Sequence, residues 1–427
     1  MKRIRYPDKS EWPALLARPM IDTTKLDTIV LEVLAHVRKD GDKAIRKFTE
    51  KFDNVRLDNF LVSDHEKTLA ENSINNELRQ AIDLAASNIR KFHAAQKPSV
   101  VQVETMPGVI CVQKPVPVEK IGLYIPGGTA PLFSTVLMLA IPAQIAGCSE
   151  IILCSPPRQD GKLHPAILYA ASVSGVKSIF KIGGIQAIAA MAYGTKSVPR
   201  VYKIFGPGNQ YVTAAKQLVA RQDVAIDMPA GPSEVAVLAD EKSNPVYIAS
   251  DLLSQAEHGA DSQVILISTS DGMITKVLKE IDTQVVDLPR KEFAMQSLEH
   301  SRAYLVRDYK EMMDLVNTYA PEHLIISTCN AEELALEVKS AGSVFIGEYT
   351  PESAGDYASG TNHTLPTNGY AHAYSGVNMD AYYKKITFQK LTREGLQRIG
   401  GAVETMALAE DLVAHQRTVA LRLRNKS

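Results

Sequence analysis

The chain has 427 residues, of which 45% are hydrophobic and 22% charged, values typical of a globular protein with more than one domain. Its 47 lysine and arginine residues balance 48 aspartate and glutamate residues, so no basic excess indicates a nucleic-acid partner. No segment has the apolar length of a membrane-spanning helix, and the basic amino terminus lacks the apolar run of a signal peptide. The four cysteines show no CxxC spacing, which argues against a disulfide framework or a cysteine zinc site and favours the cytoplasm.

The first part of the chain is expected to be helical scaffold. Residues 22–51 and 66–97 show the apolar periodicity of helices, with a short strand-like run at residues 60–62 between them. Residues 100–118 contain alternating apolar runs broken by prolines, which predicts strands and turns. Residues 1–22 are assigned to an N-terminal extension.

The middle of the chain changes to strands that alternate with helices. Residues 121–125 and 150–154 are typical of buried strands and residues 134–146 of an apolar helix, which together make a βαβ unit. Further strands are expected at residues 178–182, 201–205, 234–238, 263–267, 303–306, 324–327 and 343–346. Further helices are expected at residues 165–174, 185–192, 210–220, 275–281, 310–319 and 331–340. This alternation predicts mostly parallel sheets covered on both faces by helices.

The predicted fold class is therefore α/β, with two Rossmann-like doubly wound lobes and small helical appendages at the two ends. Residues 121–234 are expected to form the lobe that binds a nucleotide. The other lobe is expected to comprise residues 23–120 and 235–380 and to carry most of the candidate site residues. Residues 381–427 are expected to form a mainly helical C-terminal segment, broken at Gly400.

Four glycine-containing turns follow strands of the nucleotide lobe, with the sequences PGGTA, IGGIQA, FGPGN and MPAGPSE. Ligands of open α/β sheets bind at the carboxyl ends of strands, where glycine lets backbone amides approach a phosphate closely. None of these turns has the GxGxxG spacing, and each glycine alone is also ordinary turn chemistry. Four in succession favour a nucleotide-sized ligand.

The segment SQAEHG combines a well-defined helix end with side chains that can bind a metal ion. Asn244 and Pro245 predict the start of the helix and Gly259 its end. Gln255 and His258 lie three residues apart, so both project from the same side of the last turn and can converge on one ion. The alternative is a histidine that only favours the helix dipole, beside a solvated glutamine.

Other ionisable side chains could complete such a site. Asp356 in AGDYASG and His415 in EDLVAHQ are distant candidate zinc ligands, with a turn-forming aspartate and an exposed helical histidine as the alternatives. Glu322 and His323 stand directly before a buried strand, where a carboxylate and an imidazole can divide general-base work. The alternative for this pair is a strand entry with a solvated glutamate. The long irregular stretch 347–388 is typical of a functional loop.

Several of these blocks occur together and in one order, namely IDMPAGPSEVAVLAD, DLLSQAEHGADSQ, APEHL, SAGDYASGTNHTLPT and AEDLVAHQ. The combination closely resembles the histidinol dehydrogenase family, and the resemblance extends from PVEKIGLYIPGGTAPLFSTVLMLA to the C-terminal helix. It implies a zinc enzyme that oxidises L-histidinol to L-histidine through L-histidinaldehyde with two equivalents of NAD. These are the last two steps of histidine biosynthesis.

The resemblance also implies roles for individual residues. The implied zinc ligands are Gln255, His258, Asp356 and His415. The residues implied to contact substrate are these four ligands together with Ser233, His323, His363 and Glu410. The residues implied to line the NAD site are Tyr124, Gln186 and Asn209. His323, expected to be neutral at the working pH, would take the hydroxyl proton, and Glu322 would activate the water that hydrates the aldehyde.

The family is further expected to form homodimers in which the C-terminal segment reaches into the partner. Glu410 and His415 would then complete the site of the other subunit. Other readings are a related zinc- and NAD-dependent dehydrogenase of another amino alcohol, a zinc hydrolase, and a non-catalytic binding protein. The glycine turns and the absence of HExxH oppose the hydrolase, and the Glu322 and His323 pair opposes the binding protein. Cys111 and Cys148 invite a thiohemiacetal mechanism, but their apolar contexts indicate buried, inert thiols.

Overall fold

The computed structural model of the chain describes residues 1–18, 23–127 and 131–424, and for residues 23–25 the backbone alone. The chain divides into two compact units: unit 1 comprises Met1–Gln96 and Glu119–Ala381, and unit 2 comprises Lys97–Val118 and Tyr382–Ser427. Residues 19–22 of the expected extension and residues 128–130 of the expected PGGTA turn lie outside the described residues. No described helix combines the length and apolar composition needed to cross a bilayer.

Strands and helices alternate along most of the chain. The strands are β1 (Lys2–Arg5), β2 (Val101–Met106), β3 (Val109–Pro117), β4 (Lys120–Tyr124), β5 (Glu150–Ser155), β6 (Ser178–Lys181), β7 (Lys203–Phe205), β8 (Ala225–Ile226), β9 (Glu234–Ala239), β10 (Gln263–Ser268), β11 (Arg302–Leu305), β12 (His323–Ile326), β13 (Ser343–Ile346) and β14 (Tyr383–Leu391). The α-helices are α1 (Trp12–Leu15), α2 (Thr23–Asp40), α3 (Asp42–Asp53), α4 (Asp64–Ser73), α5 (Asn76–Ala94), α6 (Phe133–Ala146), α7 (Pro165–Val173), α8 (Gly184–Tyr193), α9 (Gln210–Ala220), α10 (Pro245–Ala256), α11 (Asp271–Gln284), α12 (Lys291–His300), α13 (Tyr309–Tyr319), α14 (Ala331–Ala335), α15 (Glu352–Tyr357), α16 (Arg393–Ala409) and α17 (Val413–Arg424).

Unit 1 contains a six-stranded sheet with the strand order β1-β11-β10-β9-β12-β13, and its neighbouring strands are all parallel. Alternate residues of β9 enter different apolar clusters. Val235 and Val237 belong to a cluster with residues of α10 and α11, whereas Ala236 and Leu238 belong to one with residues of α13. Helices therefore cover both faces, as the sequence pattern predicts for a parallel sheet.

Unit 1 also contains a five-stranded parallel sheet with the order β6-β5-β4-β7-β8. Numbered along the chain, its strands follow the order 3-2-1-4-5, and β9 to β13 of the six-stranded sheet follow the same order. This order is that of Rossmann-type doubly wound sheets. The predicted fold class is therefore confirmed.

The N-terminal part of the chain is distributed differently from the predicted boundaries. β1, expected in a separate extension, pairs with β11 at an edge of the six-stranded sheet. Val30, Val33 and Phe48 of α2 and α3 share an apolar cluster with Ile152 of the five-stranded sheet, although the sequence pattern places residues 23–120 with the other lobe. The reason is that an apolar stripe shows that a helix face is buried but does not show which sheet it packs against.

The predicted N-terminal helices each divide in two. Gly41, with a φ of 54°, separates α2 from α3. Ser63 and Glu66 form a reciprocal capping box at the start of α4, and Asn75 caps α5. The strand-like run between the helices is reduced to a bridge between Leu61 and Phe180. Apolar periodicity continues across these breaks, and capping chemistry decides where each helix begins.

Unit 2 combines an antiparallel sheet, β14-β3-β2, with the helical hairpin of α16 and α17. Residues 97–118 therefore belong with the C-terminal segment and not with the first lobe. The helical break lies at Asp411, which has a φ of 57°, and Gly400 lies inside α16. A Cβ at Gly400 would come within 3.1 Å of Val419 and 2.8 Å of Leu423. Gly400 thus allows close packing of the two helices instead of breaking one.

Candidate active site

The candidate catalytic residues meet at the amino-terminal edge of the six-stranded sheet. Glu322 directly precedes β12 and His323 begins it, next to β9. Gln255 lies in the last turn of α10, and Asp356 lies on α15. Ligands of open α/β sheets usually bind at the opposite, carboxyl edge, so strand order alone would not indicate this site.

The backbone of Glu234, the first residue of β9, holds three of these side chains. Its N–H donates a hydrogen bond to Glu322 Oε2 at 2.9 Å, and its carbonyl accepts one from Gln255 Nε2 at 3.2 Å. His323 Nδ1 lies 3.3 Å from the same carbonyl, which assigns the proton of the neutral ring to Nδ1 and the lone pair to Nε2. Gln255 Nε2 also lies 3.2 Å from Glu322 Oε2. All four residues are buried.

Asp356 faces the second nitrogen of His323, with 3.4 Å between Asp356 Oδ1 and His323 Nε2. The backbone carbonyl of Asp356 accepts a hydrogen bond from His363 Nδ1 at 2.9 Å. His363 Nε2 therefore accepts one from the Thr135 hydroxyl, at 3.0 Å. His258 is exposed at the edge of this cluster, where desolvation by its surroundings lowers its pKa and the Asp356 carboxylate partly offsets that effect. The structure thus brings these candidates around one imidazole ring.

The cluster holds an excess of carboxyl groups. Burial raises the pKa of Glu322 to about 8. Burial alone would lower the pKa of His323, but the carboxylates of Glu322, Asp356 and Glu352 outweigh it and raise that pKa to about 10. The neighbouring carboxyl groups thus favour the protonated form of His323, and the neutral ring stays a prediction. The sequence could not show this preference, because Asp356 and Glu352 are distant along the chain.

Glu352 is a buried carboxyl group of the cluster that the sequence reading missed. Its side chain is only 1% exposed, and Oε1 accepts a hydrogen bond from the Ser254 hydroxyl at 3.0 Å. Oε2 has no hydrogen-bond partner among the described residues, and burial raises the pKa of Glu352 to about 8. The four-residue spacing between Glu352 and Asp356 was the available signal, since it places both on one helix face.

The donor chemistry of the cluster fits a divalent cation. Gln255 Oε1 is buried and has no hydrogen-bond partner in the described part of the chain, as expected of an amide oxygen that would hold an ion. His258 and Asp356 add imidazole and carboxylate donors, which suit zinc. Across residues 1–18, 23–127 and 131–424, no group of three His, Cys, Asp or Glu side chains is placed to hold a metal. A divalent cation bound by His258 and Asp356 would therefore need the Gln255 amide oxygen as a further ligand.

The remaining candidates flank the cluster or lie in unit 2. Ser233 directly precedes β9 and is half-buried, and its carbonyl accepts a hydrogen bond from the Gln263 N–H at 3.1 Å. Glu410 and His415 are exposed where α16 meets α17. Unit 1 by itself thus supplies the candidate catalytic pair and three of the four candidate zinc ligands.

The three candidate NAD residues lie at the carboxyl edge of the five-stranded sheet. Tyr124 ends β4, and its buried hydroxyl accepts a hydrogen bond from the Gly184 N–H at 3.1 Å. Gln186 follows β6 and donates to Asp53 Oδ2 at 3.1 Å, while its buried Oε1 has no hydrogen-bond partner among the described residues. Asn209 follows β7 and caps α9. These residues thus lie at the edge where open α/β sheets bind ligands, and the NAD site stays a prediction.

A buried ion pair holds the glycine turn before Asn209. Lys216 Nζ lies 2.6 Å from Asp227 Oδ1 and donates to the Gly206 carbonyl at 2.7 Å. The Gly206 N–H donates in turn to Asp227 Oδ2 at 2.8 Å. Gly206 has a φ of 126°, and a Cβ there would collide with the Tyr124 carbonyl. The turn is therefore fixed close to β4.

A pocket of about 500 Å³ opens beside the same edge. Its lining includes Gly127 after β4, Pro156 and Arg158 after β5, and His164 at the start of α7. This volume is in the range of small-molecule sites.

The two cysteines considered above differ in their surroundings. Cys148 is buried as expected, and burial raises its pKa to about 12, which disfavours the reactive thiolate. Cys111 is half-buried on β3 in unit 2, so the expectation of full burial is wrong for this residue.

The sequence and fold are similar to those of known proteins. Residues 16–423 match the family model described as Histidinol dehydrogenase. The chain is 59% identical over 423 residues to a histidinol dehydrogenase of Bacteroides thetaiotaomicron, covering 99% of each chain. It is 50% identical over 412 residues to the Escherichia coli K12 histidinol dehydrogenase, covering 96% of this chain and 94% of the relative. The crystal structure of histidinol dehydrogenase from Elizabethkingia anophelis matches with a TM-score of 0.97 at 53% identity, covering 99% of this chain and 98% of that one.

Proposed function

Because the chain belongs to the histidinol dehydrogenase family, we propose that it oxidises L-histidinol to L-histidine through L-histidinaldehyde, as a zinc enzyme that reduces two NAD molecules per histidinol. The reaction would end histidine biosynthesis in the cytoplasm. The observation that carries the proposal is the buried cluster in which Glu322, Gln255 and Asp356 surround the imidazole ring of His323.

His323 would take the hydroxyl proton in the first oxidation. Its Nδ1 points at the Glu234 carbonyl, which leaves Nε2 as the basic atom of the neutral ring. Asp356 Oδ1, 3.4 Å from Nε2, would stabilise the imidazolium that forms. The surrounding carboxyl groups raise the pKa of His323, which makes the neutral ring a stronger base.

Residues from two edges of unit 1, together with His415 of unit 2, would hold the zinc ion and NAD. Gln255, His258 and Asp356 would hold the zinc ion together with His415, and Tyr124, Gln186 and Asn209 would line the NAD site. When bound, the zinc ion would grip the amine and imidazole of the substrate and offset the nearby negative charge, and NAD would accept the hydride. Ser233, His363 and Glu410 would contact the substrate and orient its alcohol carbon.

Glu322 would act in the second oxidation. Its carboxylate would remove a proton from the water that adds to the aldehyde carbon, so that a hydrated aldehyde can lose the second hydride. A pKa near 8 makes Glu322 a stronger base than an ordinary glutamate once it is ionised. The hydrogen bond from the Glu234 N–H fixes the direction of its Oε2 atom.

We also propose a homodimer in which Glu410 and His415 complete the site of a second copy. Apolar side chains of unit 2 are exposed on its sheet and its helical hairpin. They include Val101, Val103, Ile386, Phe388, Met406, Leu408, Leu412 and Val413. Exposed apolar surface of this kind is typical of a face that packs against other protein.

Subunit mixing tests this arrangement. The variants H323N and H415N are each expected to be inactive, but their random heterodimers would contain one site with both histidines. About a quarter of wild-type activity should therefore return on mixing, because half of the dimers are mixed and one of their two sites is intact. No recovery would show that His415 serves its own subunit.

The activity itself is tested by mixing the purified protein with L-histidinol, NAD and zinc and following NADH absorbance. We expect two NADH and one L-histidine per histidinol. Removal of zinc with a chelator should abolish the absorbance change, and added zinc should restore it. Hydrolysis of a histidine ester without any demand for NAD would favour the zinc hydrolase instead.

A further inference from the structure

We infer that Arg18 and Glu234 form a positioning pair that holds the two strand starts on which the catalytic residues stand. The inference rests on the proposed function, because it assigns Glu322 and His323 to the reaction. Arg18 Nε donates to Glu234 Oε1 at 2.7 Å and Arg18 Nη2 to Glu234 Oε2 at 2.9 Å. The two side chains are only 17% and 3% exposed, so this bidentate contact is shielded from water.

Glu234 transmits this anchor to the site through its backbone. Its N–H and carbonyl contact Glu322, Gln255 and His323, as described above. Arg18 therefore holds the Glu234 carboxylate. The Glu234 backbone in turn holds the side chains of Glu322, Gln255 and His323. The Asn368 N–H also donates to Glu234 Oε1, at 2.7 Å, and strengthens the anchor. Displacement of Glu234 would move all three side chains together.

Arg18 also holds the second strand start. Its Nη2 donates to the Tyr319 carbonyl at 2.7 Å, and the guanidinium lies 4.1 Å from the centre of the Tyr319 ring. Tyr319 ends α13 and is followed by Ala320, which has a φ of 51°, before the chain reaches Glu322. One guanidinium thus joins the first residue of β9 to the turn that leads into β12. An arginine suits this task because its planar fork offers several donors in fixed directions.

Arg18 is itself fixed by a closed ring of contacts. The Tyr319 hydroxyl donates to Gln263 Oε1 at 2.8 Å, and Gln263 Nε2 donates to the Ala17 carbonyl at 3.3 Å. The backbone beside Arg18 and its side chain are therefore both tied to Tyr319. A buried ion pair contributes little net stability compared with an apolar pair of similar size, so stability alone does not account for this arrangement.

Kinetics of variants test the inference. R18M and E234Q should each lower kcat with L-histidinol about 10- to 100-fold, because small displacements of catalytic groups are costly. KM for NAD should stay within about two-fold, since the NAD candidates lie on the other sheet. R18K keeps the charge but not the fork and should fall between wild type and R18M. The double variant R18M/E234Q should be about as slow as the slower single variant, because both break one contact.

The matched control is K9M. Lys9 belongs to the same N-terminal segment and contacts Asp314 at 2.8 Å, but this ion pair is exposed. K9M should keep wild-type kcat. If R18M and E234Q lower only the melting temperature, or if their effects on kcat multiply, the pair is structural and the inference is wrong.

A measurement without turnover separates this inference from the proposed function. In a crystal structure of R18K, Glu234 should be displaced relative to the rest of the six-stranded sheet, and the Glu322 and His323 side chains should move with it. Unchanged positions would overturn the inference whatever the substrate proves to be. Displaced side chains in a protein that makes no NADH from histidinol would instead support the positioning pair and refute the proposed function.

Discussion

The two sheets of unit 1 share one strand order but offer opposite edges to ligands. At the carboxyl edge of the five-stranded sheet the candidate residues are the neutral Tyr124, Gln186 and Asn209, next to the glycine turn of Gly206. At the amino edge of the six-stranded sheet most of the candidates are ionisable, and the central ones are buried. A hydrogen bond of 3.0 Å between Thr135, at the start of α6, and His363 joins the two edges.

The comparison indicates that the two edges differ in chemistry although their strand order is the same. A nucleotide can be held by backbone N–H groups and helix starts, which the carboxyl edge of any such sheet provides. Proton transfer needs groups with shifted pKa values, and these arise where carboxyl groups are buried beside a histidine. The raised pKa values of Glu322 and Glu352 are consistent with the proposal that proton transfer takes place at the amino edge.

The largest effect is expected for H323N, because this variant removes the proposed proton acceptor at the amino edge of the six-stranded sheet. Loss of a general base should lower kcat about 10²- to 10⁴-fold, with little change in KM for NAD. Steady-state NADH production measures both values. H36N is the control, because His36 is only half-buried, lies outside the cluster, and its one hydrogen bond in the described structure is to the Glu32 carbonyl. Equal losses in both variants would remove His323 from the mechanism.

E322Q should separate the two oxidations. Glutamine keeps the size of the side chain but cannot accept a proton from water, so oxidation of L-histidinaldehyde should slow about 100-fold and that of L-histidinol much less. The two substrates are assayed separately, and E257Q, which changes a partly exposed glutamate near the same helix end, is the control. Equal slowing of both oxidations would argue against Glu322 as the base for water.

K216M tests the proposal that NAD binds at the carboxyl edge of the five-stranded sheet. Lys216 and Asp227 are 6% and 1% exposed, so removal of the cation leaves a buried carboxylate unpaired and should destabilise the protein by about 3–5 kcal/mol. The Gly206 turn should then loosen and raise KM for NAD about ten-fold, with kcat nearly unchanged. K120M breaks the half-exposed pair of Lys120 and Glu150 on the same sheet and serves as control. A lower kcat with normal KM for NAD would contradict the assignment of this edge.

The smallest effect is expected for D251N. This variant tests how much the buried carboxyl group of Asp251, on α10 beside the six-stranded sheet, lowers the stability of the protein. Burial raises the pKa of Asp251 from 3.8 to about 7. The folded state therefore holds a proton that the unfolded state releases, and stability is lost as pH rises from about 4 through 7. D251N should stabilise the protein by about 1–2 kcal/mol at pH 8, discounted for partial exposure, and not at pH 4.

Thermal unfolding at both pH values checks the prediction for Asp251. D58N changes an exposed aspartate and should behave like wild type at each pH. A gain of equal size at pH 4 and pH 8 would show that the effect does not come from ionisation of Asp251.

Much of the fold could be predicted because its signals are local. The helix expected at residues 210–220 is α9, Gln210–Ala220, where Asn209 supplies the cap, and the strand expected at residues 343–346 is β13, Ser343–Ile346. Helix 331–340 was too long, since α14 ends at Ala335. The pairing of β1 with β11 had no local signal, because a short strand carries no mark of its neighbour.

The candidate site likewise contains residues that the sequence indicated and residues that it did not. Motif blocks indicated Gln255, Glu322, His323 and Asp356, and the structure brings these residues together around one ring. They did not indicate Arg18, Glu234 or Glu352, whose contacts join segments that are far apart along the chain.

Helix and strand positions, the α/β class and the family could be read from residue order, since periodicity, caps and motifs act between neighbours in sequence. The raised pKa of His323 and the packing of α2 and α3 could not. Both depend on distances through space: a pKa responds to every charge within a few ångströms, and an apolar helix face accepts any complementary sheet. Folding supplied those distances, and with them the carboxyl groups that raise the pKa of His323.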